Sequence, residues 1–296
     1  MKISVIIPIF NSENFLMDLF EALEKNSFDE EDEIILVDNG STDNSLLLCE
    51  NKQRENPELY KVLLYKEKAG SYAARNYALQ KARGDVLVFT DSDTKPSSSW
   101  IENIRKNISK GTVIAGKIYL EILENGLWEN FDSIAHLNSE KNAKESQIAT
   151  ANMAVYKDDF FSVGIFEERF SGGDYEWSQR AAKAGMKIKF VPEALVLHPT
   201  RKTFNQILKK EQRIAYGAGN HYKNAHKPLS RLIIKYILKI FKFDTNIRYI
   251  KKLKNAGLGM SDICEFNCKF MIIRIEQLKY AIKGYRMINA RKIGIK

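Results

Sequence analysis

Two aspartates, Asp91 and Asp93, stand one residue apart in FTDSDT (89–94), directly after the apolar run DVLVF. In an extended segment residues i and i+2 point the same way, so both carboxylates converge on one spot past a strand end. Two carboxylates that close repel each other unless a cation or strong donors sit between them. A hard divalent ion such as Mg²⁺ or Mn²⁺ takes oxygen ligands and keeps room for substrate phosphates. The pair therefore points to a cation bridging protein and a diphosphate. Taken alone, it reads more readily as a solvated turn whose aspartates cap a helix.

The elements around the pair put it where ligands collect. ISVIIPIF, EIILVD, KVLLYKE and DVLVFTD read as strands, and ENFLMDLFEALEK, STDNSLLLCENKQRE and SYAARNYALQKAR as the helices between them. This alternation implies a parallel, doubly wound sheet, in which ligands bind at the carboxyl ends of the strands. Polar punctuation falls at each of those ends: Asn11, Asp38-Asn39-Gly40-Ser41, Lys68-Ala69-Gly70 and Asp91-Ser92-Asp93. Beyond Pro96 the pattern loosens. SSSWIENIRKNI reads as helix, TVIAGKIYLEIL as strand, and residues 125–148 as helix and loop. ATANMAVYKDDFFSVG holds a strand and a helix, SGGDYEWSQRAAKAG opens a helix, and KIKFVPEALVLHP reads as two short strands turning at Pro192.

VIIPIFN, VDNGSTDNS, AGSYAARN and FTDSDTKP follow one another at spacings of about 30, 32 and 20 residues. Together with GGDYEW and HPTR they resemble family 2 glycosyltransferases of the GT-A fold, over residues 3 to about 204. The resemblance implies a Rossmann-like sheet with a smaller acceptor-side sheet. It divides the chain into a nucleotide-binding half (1–95), an acceptor-binding half (96–204) and a basic helical region (205–296). It implies sugar transfer, with inversion, from a nucleotide-diphosphate donor to an acceptor hydroxyl. A UDP-sugar is favoured, with a divalent cation (Mn²⁺ or Mg²⁺) as cofactor.

By the same resemblance Pro8, Phe10 and Asp38 hold the nucleobase, although Asp38 could simply cap the next helix. Gly70 lets backbone pass close to the nucleotide, and Arg75, near a helix start, helps hold base or phosphate. Asp91 contacts the ribose, Asp93 ligates the metal and His198 completes the metal site. Arg201 faces the diphosphate. Asp174 matches the general base that takes the acceptor proton, Glu176 orients acceptor or base, Trp177 walls the sugar and Asn152 lines the acceptor side. Two departures are visible: Lys68 stands where many members carry Asn, and Gly173 where many carry Glu.

Charge divides the chain. Residues 1–200 carry 23 Lys+Arg against 32 Asp+Glu, a net of −9, while residues 201–296 carry 23 against 5, a net of +18. In LSRLIIKYILKIFKF (229–243), Arg231, Lys235, Lys239 and Lys242 form one stripe of a basic amphipathic helix, and 269–286 is a second candidate. Such a region packs on its own fold, on a second copy in a homo-oligomer, or on an anionic membrane surface through residues 229–286. It shows no nucleic-acid module.

Three sparse cysteines argue for a reducing compartment and against a disulfide framework or zinc site. The apolar start is too short for a signal peptide, and no stretch reaches a bilayer's span. The expected location is cytoplasmic or peripheral at the inner membrane face, the acceptor a glycan or lipid-linked molecule of envelope, surface-polysaccharide or glycolipid synthesis. Three rivals remain: a nucleotidyltransferase, which PIFNSENF disfavours because it lacks a glycine-rich loop; a non-catalytic relative that binds membrane or partner; and retaining chemistry on the same fold.

Overall fold

The computed structural model describes residues 1–287. Its elements run β1 (Ile3–Ile9), α1 (Glu13–Glu24), β2 (Glu33–Asp38), α2 (Ser45–Glu55), β3 (Tyr60–Leu64), α3 (Ser71–Leu79), β4 (Val86–Thr90) and β5 (Lys95–Pro96). Then come α4 (Trp100–Asn107), β6 (Thr112–Glu121), α5 (Leu127–Ala135), α6 (Ser139–Lys144), β7 (Asn152–Tyr156), α7 (Lys157–Val163), α8 (Gly173–Lys183) and β8 (Lys187–Pro199). The helices α9 (Phe204–Asn224), α10 (Leu229–Ile240), α11 (Phe243–Asn255) and α12 (Met260–Tyr285) follow.

All eight strands join one sheet in the order β3-β2-β1-β4-β7-β6-β8-β5. The first four strands pair in parallel, as their unbroken apolar runs require when both faces are covered. β7 runs antiparallel to β4 and to β6, and β5 antiparallel to β8. The later strands thus continue the main sheet, where the expectation was a separate smaller one. Strand periodicity splits the core in two. Ile3, Val5, Ile7 and Ile9 pack with Leu16, Leu19 and Trp100 on one face. Ile6, Ile35, Val37, Leu87 and Phe89 pack with Tyr72, Ala74 and Leu79 of α3 and with Phe160 and Trp177 on the other. Each such fully buried large side chain contributes about 1.5–3 kcal/mol.

Two boundaries differ from expectation. Lys187–Pro199 is one strand. Pro192 and Glu193 are both exposed, so the inside–outside alternation slips there without ending the strand. The helix expected over 229–243 stops at Ile240, the chain turns at Phe241-Lys242, and α11 starts at Phe243.

The chain forms two compact units. The first comprises Met1–Tyr119, Leu137–Glu168 and Gly173–Pro199; the second comprises Leu120–His136, Arg169–Gly172 and the chain from Thr200 onward. The first holds the sheet. The second is helical, with one apolar cluster around Trp128, Phe131, Phe266 and Phe270 and another around Tyr216, Leu232, Tyr236 and Tyr280. Here α9 and α12 touch backbone to backbone. A Cβ on Gly219 would lie 2.0 Å from the Ala281 carbonyl oxygen, and one on Gly284 would lie 2.0 Å from that of Tyr216. Among the described residues no helix is long and apolar enough to cross a membrane.

Candidate active site

The turn that carries the two aspartates is fixed from below. The Thr90 and Thr94 hydroxyls, both in buried residues, lie 2.7 Å apart, and the Thr94 hydroxyl donates to the Asp91 carbonyl at 2.8 Å. The Ser92 hydroxyl lies 2.7 Å from that of Ser12, in the loop after β1. Asp91, Asp93 and His198 each offer one ligand atom, and these atoms lie within 4.8 Å of one another. His198 sits near the end of β8 and is 6% exposed.

Its Nδ1 is 2.9 Å from the Pro199 carbonyl, which can only accept, so Nδ1 carries the hydrogen. In the neutral ring Nε2 is then bare, and it faces Asp93 Oδ1 at 3.6 Å. Two lone-pair atoms so placed are reconciled by a cation between them. A ligating histidine held by its other N–H on a backbone carbonyl is a usual support for a metal. The residues present therefore fit a divalent ion.

Arg75 underlies this cluster. Its side chain is 2% exposed and its Nη2 donates to Asp91 Oδ1. Burial, the largest cause, raises the Asp91 carboxyl above its ordinary range. Arg75 opposes this, Asp93 adds to it, His198 opposes it and Asp174 adds to it. Asp91, Asp93, His198 and Asp174 thus share one electrostatic neighbourhood.

Asp174 lies in the first turn of α8, where a carboxylate suits the helix dipole. Its Oδ1 accepts from the Tyr72 hydroxyl at 2.8 Å and from the Tyr175 N–H at 2.9 Å. Its Oδ2 accepts from the Thr150 N–H at 3.2 Å. A carboxylate has about four acceptor positions, so Oδ2 keeps capacity for another donor. Burial first, and Asp174 second, push the Tyr72 hydroxyl well above its ordinary value, so it stays a donor. The Arg75 guanidinium also lies 5.8 Å from the Tyr72 ring centre.

The loops expected to hold the nucleotide are stapled together. Asn39 Nδ2 donates to the carbonyls of Tyr65 (2.7 Å) and Lys68 (2.9 Å), and its Oδ1 accepts from the Gly70 N–H at 2.6 Å. Gly70 has φ +132°, and a Cβ there would meet nothing within 4 Å; it is backbone geometry that favours glycine. Asp38 Oδ1 accepts from the N–H groups of Gly40 (2.9 Å) and Ser41 (3.1 Å), while its Oδ2 is buried without a partner. Pro8 is half-buried at the end of β1, and Phe10 is 54% exposed just beyond it. Lys68 pairs with Glu168.

Five expected site residues are placed otherwise. Arg75 lies beneath the surface, where its Nη2 holds the Asp91 carboxylate in position while its Nε is buried without a partner. Asn152 is 1% exposed with its amide fully used. Its Oδ1 accepts from Trp100 Nε1, and its Nδ2 donates to the carbonyls of Lys117 and Ala194. It braces the sheet. Trp177 is wholly buried, stacks on Phe160 at 4.6 Å and donates to the Gly164 carbonyl, so it is core and not a sugar wall. Both Glu176 oxygens are taken by Arg180, one helical turn on, at 2.7 and 3.1 Å. Arg201 belongs to the second unit, where its backbone and guanidinium both bond Asp132.

Two features carried no assignment from the sequence. Tyr72 lies inside the GSYAARN stretch, but nothing in one chain ties it to Asp174, 102 residues away. The second unit contains a buried charge chain. Asp132, wholly buried, accepts from His136 Nδ1 (2.6 Å), Lys210 (3.1 Å) and Arg201, and His136 Nε2 faces Glu211 at 2.8 Å. The His136 ring thus has a carboxylate at each of its nitrogens. The i,i+4 spacing of Asp132 and His136 was its one local signal.

A parallel half-sheet with an Asp-x-Asp turn at its carboxyl edge and antiparallel strands beyond it defines a GT-A glycosyltransferase fold. The chain belongs to glycosyl transferase family 2, whose profile matches residues 4–168. It is 31% identical over 222 residues to the glycosyltransferase AglE of Haloferax volcanii, covering 73% of this chain and 72% of AglE. Two further curated relatives are spanned over only 38% and 31% of their own length.

Among solved structures, the mannosyltransferase PcManGT from Pyrobaculum calidifontis, in complex with GDP-Man and Mn²⁺, superposes with a TM-score of 0.65. Its identity is 15%, and 97% of this chain and 88% of that one are covered. TarS 1–349 of S. aureus with UDP-GlcNAc gives a TM-score of 0.55 at 18% identity, covering 99% and 92%. At these identities the two structures speak for the fold.

Proposed function

We propose that this glycosyltransferase moves a sugar from a nucleoside-diphosphate donor to an acceptor hydroxyl, with inversion, in a divalent-cation-dependent reaction. One observation carries the reading: His198, tethered through Nδ1 to the Pro199 carbonyl, turns Nε2 toward Asp93 Oδ1 at 3.6 Å, with Asp91 in the same cluster. Asp93, His198 and Asp91 would hold the ion. When bound, the ion neutralises charge that builds on the departing nucleoside diphosphate. Asp38 Oδ2, buried and unpartnered, suits a nucleobase ring N–H, for which a UDP-sugar is the favoured donor. Gly70 allows close backbone approach.

Asp174 takes the acceptor proton on Oδ2, whose one protein donor among the described residues is the Thr150 N–H. The acceptor oxygen forms its bond to the anomeric carbon as the carbon–phosphate-oxygen bond breaks, and the electron pair leaves with the diphosphate. Tyr72 aims Asp174, and Arg75 aims Asp91. The acceptor is a glycan or lipid-linked hydroxyl of envelope or surface-polymer synthesis. Support comes from TarS, named a poly(ribitol-phosphate) beta-N-acetylglucosaminyltransferase, which is 39% identical over 94 residues, 31% of this chain and 16% of TarS.

The test is a thermal-shift panel of UDP, GDP and dTDP with and without Mn²⁺, on the native chain and on Asp93→Ala and Asp174→Asn. One nucleotide should raise the melting point only with metal. Asp93→Ala should abolish that rise, and Asp174→Asn should keep it while losing turnover. No response to any nucleotide, or an equal response after EDTA, defeats the proposal.

A further inference from the structure

The helical unit carries an open cleft of about 360 Å³, within the usual size range of small-ligand sites. Phe131, Tyr249 and Phe270 give it an aromatic wall, and Lys239, Lys242 and Arg274 give it cations. One carboxylate, Glu211, faces the same space, and its oxygens are already taken by His136 and Gln277.

The cations are not matched. Arg274 is 6% exposed; its Nη1 donates to Gln277 Oε1 at 3.4 Å, and its guanidinium lies 4.5 Å from the Phe270 ring centre. Among the described residues no carboxylate pairs with Lys239 or Arg274. Burial, and next the charge of Arg274, push Lys239 down to about 8, although Glu211 pulls the other way. Cations facing each other in a partly apolar space are stabilised by an anion that brings its own charge and acceptors.

The chain around the lining residues adds a second requirement. Leu238, Phe241, Phe243 and Ile247, neighbours in sequence of Lys239, Lys242 and Thr245, are each at least 64% exposed. Exposed apolar side chains grouped beside basic ones mark an interaction surface, and basic amphipathic helices sit at lipid interfaces. A free anion uses the cations and leaves the aromatic wall and this rim unused. A phosphate carried on an apolar chain uses all three.

We propose that this cavity binds the phosphate head of a lipid, with the lipid's apolar portion against the aromatic wall and the Leu238–Phe243 rim. The inference stands on the helical unit alone and does not depend on the sugar-transfer chemistry of the other unit.

The experiment uses the full chain and two probes in titration calorimetry: monomeric dihexanoyl phosphatidic acid and inorganic phosphate. Co-sedimentation compares phosphatidylcholine vesicles with and without about one-fifth phosphatidic acid, a proportion chosen to give a surface potential on the order of that of anionic membranes. The short lipid should bind, free phosphate should bind far more weakly, and only acidic vesicles should sediment the protein. Lys239→Met should weaken the short lipid about tenfold, or about 1.4 kcal/mol, and Lys242→Ala about threefold. The nucleotide-induced thermal shift should be unchanged in both variants, which separates this test from that of the donor site.

Equal binding of phosphate and lipid would make the cavity a free-anion site and overturn the proposal. So would vesicle binding indifferent to phosphatidic acid, or unaltered lipid binding in Lys239→Met. Should Lys239→Met fail to fold, unaltered binding in Lys242→Ala, an exposed position, overturns it equally.

Discussion

Replacing Asp132 by asparagine removes one negative charge from a site where His136, Lys210 and Arg201 meet. The carboxylate is wholly buried and is bonded by His136, Lys210 and Arg201. Asparagine fills nearly the same volume, so the loss is electrostatic. Breaking a buried pair by removing one partner costs about 3–5 kcal/mol. Lys210 softens this, because burial already pushes it down to about 8 and it can shed its proton cheaply. A loss of about 3 kcal/mol is expected, or roughly 10–15 °C in the melting of a helical unit of this size.

The pH dependence gives a second check. Asp132 titrates below its ordinary range; burial alone would raise it, but His136, Lys210 and Arg201 together outweigh burial. Glu211 is lowered to about 2 in the same way, burial being outweighed by His136 and the other donors. A depressed acid stabilises the fold above its unfolded value, near 4, and that contribution fades as pH falls toward the folded value. The wild type should therefore lose stability from about pH 5 downward. The variant lacks the Asp132 share of that slope, so the gap between the two proteins should narrow by about 1 kcal/mol between pH 5 and pH 3. Urea melts followed by circular dichroism at several pH values measure both quantities. A variant melting within about 2 °C of wild type, or a gap that widens in acid, refutes the electrostatic account.

Tyr72→Phe deletes one of the three donors that hold Asp174. Turnover should fall about tenfold, as for loss of one hydrogen bond to a charged group, with the donor KM unchanged; a parallel rise in donor KM would argue against the assignment. Asn152→Ala leaves Trp100 Nε1 and the carbonyls of Lys117 and Ala194 without partners. It should cost about 2–4 kcal/mol of stability and leave the acceptor KM of the surviving folded enzyme alone. Gly219→Ala drives a methyl into the Ala281 carbonyl and should destabilise the helical unit by about 3 kcal/mol; an unchanged urea midpoint would mean that α9 and α12 can part freely.

The parallel strands, α3 and the polar loops were legible because periodicity and punctuation are local properties. Apolar runs buried on both faces name their own strands, and Gly70 or Asp91-Ser92-Asp93 name their own turns. Pro192 misled, because a proline that punctuates most strands sits here where only the alternation slips. The side-chain roles of Asn152, Trp177 and Glu176 were misjudged for a different reason. Similarity of motif places a residue along the chain but does not say which way its side chain points. Glu176 did carry a warning, since Arg180 lies at i+4 on the same helix face, a spacing that favours an ion pair. Arg75 carried none: an arginine at 2% exposure is unusual, and only its pairing with Asp91 makes it tolerable. The cavity draws on five helices and their connections, so no window of sequence contains it.

Tyr72 and Arg75 stand three residues apart on α3, and they grip Asp174 and Asp91 respectively. One helical turn therefore works as a ruler between the two carboxylates. A single-residue insertion there would swing one grip about 100° around the axis, taking it off its aspartate while the other stayed in place. Surrounding loops can change length to suit a different sugar or acceptor, but this interval cannot.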